Sequence, residues 1–263
     1  MSNTAPIGFF DSGVGGTSIW KEVIQLLPGE NSIYLADSIN APYGEKPVED
    51  IIKLSVKNTE KLLEMGCKII VVACNTATTN AIGFLRANYP VPFIGIEPAI
   101  KPAALSSRSK VIGILATKGT LSSKLFHETS ELYSRDIKII EVVGQGLVRL
   151  IEDGKLYSDE MRNLLGRLLE PMLEAKIDYL VLGCSHYPYL LPLLKELLPE
   201  DVTIIDSGRA VARQTGNVLL NENLINDQSL NTRHRLYSNV DPGTLKNLVE
   251  ANKFGYEVSY LLF

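Results

Sequence analysis

The 263 residues are 45% hydrophobic and 21% charged, with 20 Gly, 13 Pro and 3 Cys. These are the proportions of a folded globular chain, not of a disordered, collagen-like or coiled-coil one. Twenty-six Lys and Arg against 30 Asp and Glu leave a net charge of −4 with no basic run, which argues against wrapping nucleic acid or docking on an anionic membrane.

The N-terminal residues lack the basic, apolar pattern of a signal peptide. Three cysteines are too few, and odd in number, for a disulfide framework, so a cytoplasmic, reducing setting is expected. The chain then reads strand 7–10, helix 17–27, strand 32–36, helix 47–65, strand 68–73, helix 78–87, strand 93–96 and strand 110–115. It continues with helix 122–133, strand 137–143, helix 159–175, strand 179–182, helix 189–198 and strand 203–205. The strongest apolar stretch, 69–74, is far too short to cross a bilayer. Apolar strand runs alternating with amphipathic helices predict parallel sheets with helices on both faces.

An internal echo is present. Residues 7–12 line up with 112–117, 68–75 with 178–185, and 91–94 with 201–204. Units this long are not solenoid repeats. They predict two similar, pseudo-symmetric α/β domains with a site in the cleft between them. The tail has no partner in the echo: helix 209–221, a polar loop 223–231, strand 235–238, helix 244–252 and strand 256–261. It is expected to pack back on the first half. The domains would then be 1–97 plus 208–263, and 98–207.

Ligands of open parallel sheets lie beyond the carboxyl ends of strands. Here those ends carry Asp11-Ser12-Gly13-Val14-Gly15-Gly16, Asp37-Ser38 with Pro42-Tyr43-Gly44, Cys74-Asn75-Thr76, Thr117 with Gly119-Thr120, Cys184-Ser185-His186, and Asp206-Ser207-Gly208. Helix capping accounts for many of these Ser, Thr, Asn and Asp residues. It does not account for Cys74 and Cys184 at equivalent strand ends. A helix N-terminus there would favour a thiolate, and two thiols facing one cleft could move protons on opposite faces of a carbon. Asp11 and His186 are the nearby proton movers. Cys67, ahead of an apolar strand, reads as a small buried hydrophobe. His127 and His234 read as non-catalytic.

These blocks resemble the signature segments of bacterial glutamate racemases, in the same order from residue 7 to about 208. The resemblance implies cofactor-independent interconversion of L- and D-glutamate, with D-glutamate supplied for peptidoglycan, and no metal. It implies that Cys74 acts on the α-proton of D-glutamate with help from Asp11. Cys184 acts on that of L-glutamate with help from His186, and Glu152 supports the histidine. Substrate contacts are expected from Ser12, Pro42, Tyr43, Gly44, Asn75, Thr76, Thr117, Thr120 and Ser185. Ser185 stands where the family usually has Thr, which keeps the hydroxyl and loses a methyl. Longer members carry an N-terminal extension tied to activation by a cell-wall precursor, and the motif at Asp11 reads as lacking it. The family is often homodimeric.

Four other readings compete. Gly13-Val14-Gly15-Gly16-Thr17-Ser18 followed by Asp37 approaches a dinucleotide fingerprint, but Ser18 replaces the third glycine and Asp11 would face a pyrophosphate. A zinc site from Cys74, Cys184 and His186 lacks the usual close ligand pair. A non-catalytic binding protein would gain nothing from two opposed thiols. An aspartate racemase shares the two-cysteine plan.

Overall fold

The computed structural model describes residues 3–133, 136–226 and 232–263. Its strands are β1 (Ile7–Asp11), β2 (Ser32–Ala36), β3 (Ile69–Val72), β4 (Phe93–Gly95), β5 (Val111–Ala116), β6 (Lys138–Val143), β7 (Tyr179–Gly183), β8 (Thr203–Ile205), β9 (His234–Ser238) and β10 (Glu257–Tyr260). Six form one sheet in the order β10-β9-β2-β1-β3-β4, and four form another in the order β6-β5-β7-β8. Every pairing is parallel.

The echo in sequence is an echo in topology. β2-β1-β3-β4 and β6-β5-β7-β8 are the same arrangement, with β1 matching β5 and β3 matching β7. β9 and β10 extend only the first sheet, β9 lying beside β2 with His234 opposite Ser32. The tail therefore returns to the first half as expected. Part of the expected loop at 223–231 lies outside the described residues.

Alternate residues of each strand feed opposite layers. Phe10, Ile33, Leu35, Ile70 and Val72 pack with Ile51, Leu62, Ile82 and Leu85 from the two helices that follow β2 and β3. Ile112, Ile114 and Val181 of the second sheet pack with Ile100 and Phe126. The remaining faces, including Phe9 and Val71 from one sheet and Leu180 and Leu182 from the other, merge into one core spanning both halves. Burial on both faces is why these strands read as unbroken apolar runs.

Two helices, Ile100–Ser106 and Leu147–Glu152, were not expected from the sequence, and three expected ones differ from it. The 122–133 stretch is helical over Lys124–Glu131, where Ser123 caps the start by accepting from the Phe126 N–H, and a separate short helix, Lys118–Leu121, precedes it. The 244–252 stretch breaks into Gly243–Leu248 and Ala251–Phe254, with Glu250 left-handed at φ 51° between them. The 189–198 stretch begins as a 3₁₀ turn, Tyr187–Leu190, and becomes α-helical only over Leu191–Leu197, with proline near both starts. Among the described residues no helix is long and apolar enough to cross a membrane.

Candidate active site

The sheets present their strand ends to one another. After β1, the turn at residues 12–16 leads into helix Thr17–Leu26. After β3, Cys74 is the N-cap of helix Asn75–Asn88, its Sγ accepting from the Ala77 N–H at 3.4 Å. After β7, Gly183 leads into Cys184, Ser185 and His186 and then the 3₁₀ turn.

Both thiols are buried, Cys74 at 4% and Cys184 at 6% exposure. They line a single cavity together with Ser12, Pro42, Tyr43, Gly44, Asn75, Thr76, Thr117, Val148, Ser185 and His186. The cavity is small, about 10 Å³, on the order of one water molecule. Asp11, Glu152 and Thr120 stand behind this wall. Thr120 joins Thr76 and Thr117 in a triangle of hydroxyls, with Oγ1 separations of 2.8, 3.0 and 3.3 Å. The Asn75 amide has neither oxygen nor nitrogen paired, so it can both donate to and accept from a ligand. The Tyr43 hydroxyl points away from the cavity and donates to Asp37 Oδ2 at 2.5 Å; Tyr43 offers its ring and backbone instead. Val148 is the one wall residue that the sequence reading did not name. It sits on a helix of six residues, Leu147–Glu152, too short for periodicity to mark its face.

The two thiols have different neighbours. His186 Nδ1 lies 3.8 Å from Cys184 Sγ, and its Nε2 donates to Glu152 Oε1 at 2.6 Å. Burial works against a charged imidazole, but contacts with Cys184 and Glu152 and the charge of Asp11 outweigh it and hold the imidazolium well above its usual range. On the other side, Asp11 Oδ2 accepts from the Gly16 N–H at 2.9 Å and Oδ1 accepts from Ser185 Oγ at 3.2 Å. Burial raises the Asp11 carboxyl, opposed by the His186 charge and the Gly16 N–H, and a Cys74 hydrogen bond also favours its anion.

The helix N-terminus was expected to favour a thiolate at Cys74. It does not prevail. Burial pushes the Cys74 thiol well up, the nearby Asp11 charge adds to it, and the N–H groups of Ala77 and Ser12 oppose it without success. For Cys184 the expected α-helix start is absent, since the 3₁₀ turn intervenes. Cys67 lies elsewhere, buried beneath Gly8, where desolvation lifts its thiol to about 12. Among the described residues no three His, Cys, Asp or Glu side chains converge as a metal-binding group.

A family model, Asp/Glu/Hydantoin racemase, matches residues 14–215. The chain belongs to the Asp/Glu/hydantoin racemase family. Within that family it is 48% identical over 222 residues to a glutamate racemase of Pseudomonas syringae pv. tomato, covering 84% of this chain and 81% of the relative. A crystal structure of a glutamate racemase isoform from Bacillus anthracis superposes with a TM-score of 0.86 at 30% identity, covering 99% of this chain and 98% of that one. The Escherichia coli glutamate racemase, solved with L-glutamate and the activator UDP-MurNAc-Ala, gives 0.86 at 33% identity and 97% of each chain. The fold of this family member is thus the two-sheet α/β arrangement of those enzymes.

The turn after β1 has no spare room. A Cβ on Gly15 would lie 2.1 Å from His186 Nδ1, and one on Gly13 would lie 2.0 Å from Glu152 Oε1. Gly15→Ala is therefore expected to displace the imidazole by about an ångström and to lower turnover about a hundredfold. Initial rates on protein whose thermal transition matches the parent check this; an unchanged rate would mean that His186 placement is irrelevant to catalysis.

Proposed function

We propose that this chain is a glutamate racemase that interconverts L- and D-glutamate without a cofactor, in the cytoplasm, and supplies D-glutamate for peptidoglycan. One observation carries the reading: two buried thiols at equivalent ends of β3 and β7 meet on one cavity. In this reading Cys184 removes the α-proton of L-glutamate and Cys74 delivers one to the opposite face; the roles reverse from D-glutamate. Residues 1–97 plus 208–263 form one domain and 98–207 the other. In support, the Ser207 hydroxyl donates to the Glu97 carbonyl, so the two crossover points are tied together.

The α-carbon is a very weak acid, so positioning and exclusion of water must supply much of the rate. The substrate carboxylates are met by the unpaired Asn75 amide, the threonine hydroxyls, and N–H groups at the start of helix Asn75–Asn88. The substrate ammonium lies against Asp11. That contact neutralises the charge that helps hold the proton on Cys74, so substrate binding itself prepares Cys74 to act as a base. His186, held charged by Glu152 and its neighbours, stabilises negative charge at Cys184. The cavity is too small for an amino acid, so the lobes separate to admit substrate and close over it.

Assaying both enantiomers of glutamate and of aspartate, in buffer containing a chelator, tests this reading. Glutamate is expected to racemise from both sides and to outpace aspartate by more than about tenfold, the order of discrimination that one methylene supplies. Preference for aspartate, or metal-restorable loss of activity, would overturn it.

A further inference from the structure

Glu152 is held by more than the histidine it supports. Its Oε1 accepts from the Val14 N–H at 2.7 Å as well as from His186, and its Oε2 accepts from the Ser38 hydroxyl at 2.7 Å. Ser38 follows β2 in the first sheet, whereas Glu152 precedes β7 of the second. The Ser38 bond therefore crosses from one half to the other.

The turn that carries Ser38 is fixed on both sides by one residue of the returning tail. Asn239 Nδ2 donates to Asp37 Oδ1 at 2.6 Å, and the Ile39 N–H donates to Asn239 Oδ1 at 3.0 Å. Thr244 Oγ1, from the same tail, donates to the Glu152 carbonyl at 3.0 Å. Both ends of the Ser38–Glu152 bond are thus tethered to one segment. A surface capping serine would need no such bracing.

We propose that Ser38 is a positioning residue for the Cys184 side of the reaction, acting through Glu152 and His186 from the opposite lobe. This rests on the glutamate racemase reading. Without the donor to its Oε2, the Glu152 carboxylate is held through Oε1 alone and can rotate away from the geometry that presents that oxygen to His186 Nε2. The imidazole then loses its fixed placement against Cys184 Sγ. Asp11 and Cys74 make no contact with Ser38, so their half of the site feels the change only through the His186 charge beside Asp11.

The overall equilibrium between enantiomers is unity, so kcat/KM must fall equally in both directions whichever thiol is impaired. The two sides are separated instead by isotope effects. In Ser38→Ala, proton transfer at Cys184 becomes the slower step. The primary deuterium effect with L-[2-²H]glutamate is expected to rise, and that with D-[2-²H]glutamate to fall. Turnover is expected to drop about tenfold, the scale of one hydrogen bond to a charged group. Ser38→Thr keeps the hydroxyl and is expected to restore both effects. Isotope effects that move together, or a Ser38→Ala enzyme identical to the parent, would overturn the assignment while leaving a racemase in place. A parent protein that does not racemise glutamate would remove the functional reading, and this role with it.

Discussion

Cys74→Ala and Cys184→Ala are each expected to lower racemisation by at least about a thousandfold, within the range assigned to a positioned acid or base. In the proposed mechanism each change removes the thiol that serves one face of the substrate's α-carbon. Folding should survive. Both thiols pack at strand ends, and truncating a side chain that small costs on the order of 1 kcal/mol. Cys74→Ala also loses the acceptor that caps helix Asn75–Asn88, about another 1 kcal/mol. Cys67→Ala is the control. It removes a sulfur packed against Gly8 in the core formed with Leu62, so its cost falls on stability, about 1–2 kcal/mol, with activity largely kept. Optical rotation of glutamate solutions and thermal unfolding of the three variants check the pattern. An active Cys74→Ala beside a folded but inactive Cys67→Ala would transfer the role to the wrong side of β3.

The extent to which the sequence disclosed this arrangement follows from the physics of each element. All ten strands were legible, β1, β2, β3, β5 and β7 because strands buried on both faces must be apolar throughout, and the echo between residues 7–12 and 112–117 marks β1 and β5 as the same position in two sheets. The thiols were legible from where they fall, at the carboxyl ends of β3 and β7. Their protonation was not. A helix N-terminus is visible in a sequence, but desolvation is set by packing, and at Cys74 desolvation wins. Glu152 reads in sequence as an ordinary acid before Gly154, and only folding brings its carboxylate to His186 and Val14. Ser38 was visible in the motif after β2, but nothing local signals a partner 114 residues away. The break at Glu250 escaped notice because the apolar period continues across it while the backbone does not.

The central claim is that two different thiols serve the two faces, and racemisation in D₂O tests it most directly. Starting from L-glutamate, Cys184 removes hydrogen and Cys74 delivers deuterium it has taken from solvent between turnovers. D-glutamate isolated at low conversion is then expected to carry deuterium at Cα, while the remaining L-glutamate stays mostly protiated. From D-glutamate the labelling should be the mirror image. A single base that swings from one face to the other would instead return the substrate's own hydrogen in part of the turnovers. Mass spectrometry of the separated enantiomers reads the difference. Nearly complete deuteration of the product alone is the result expected here; substantial retention of the original α-hydrogen in the product would contradict the two-thiol mechanism.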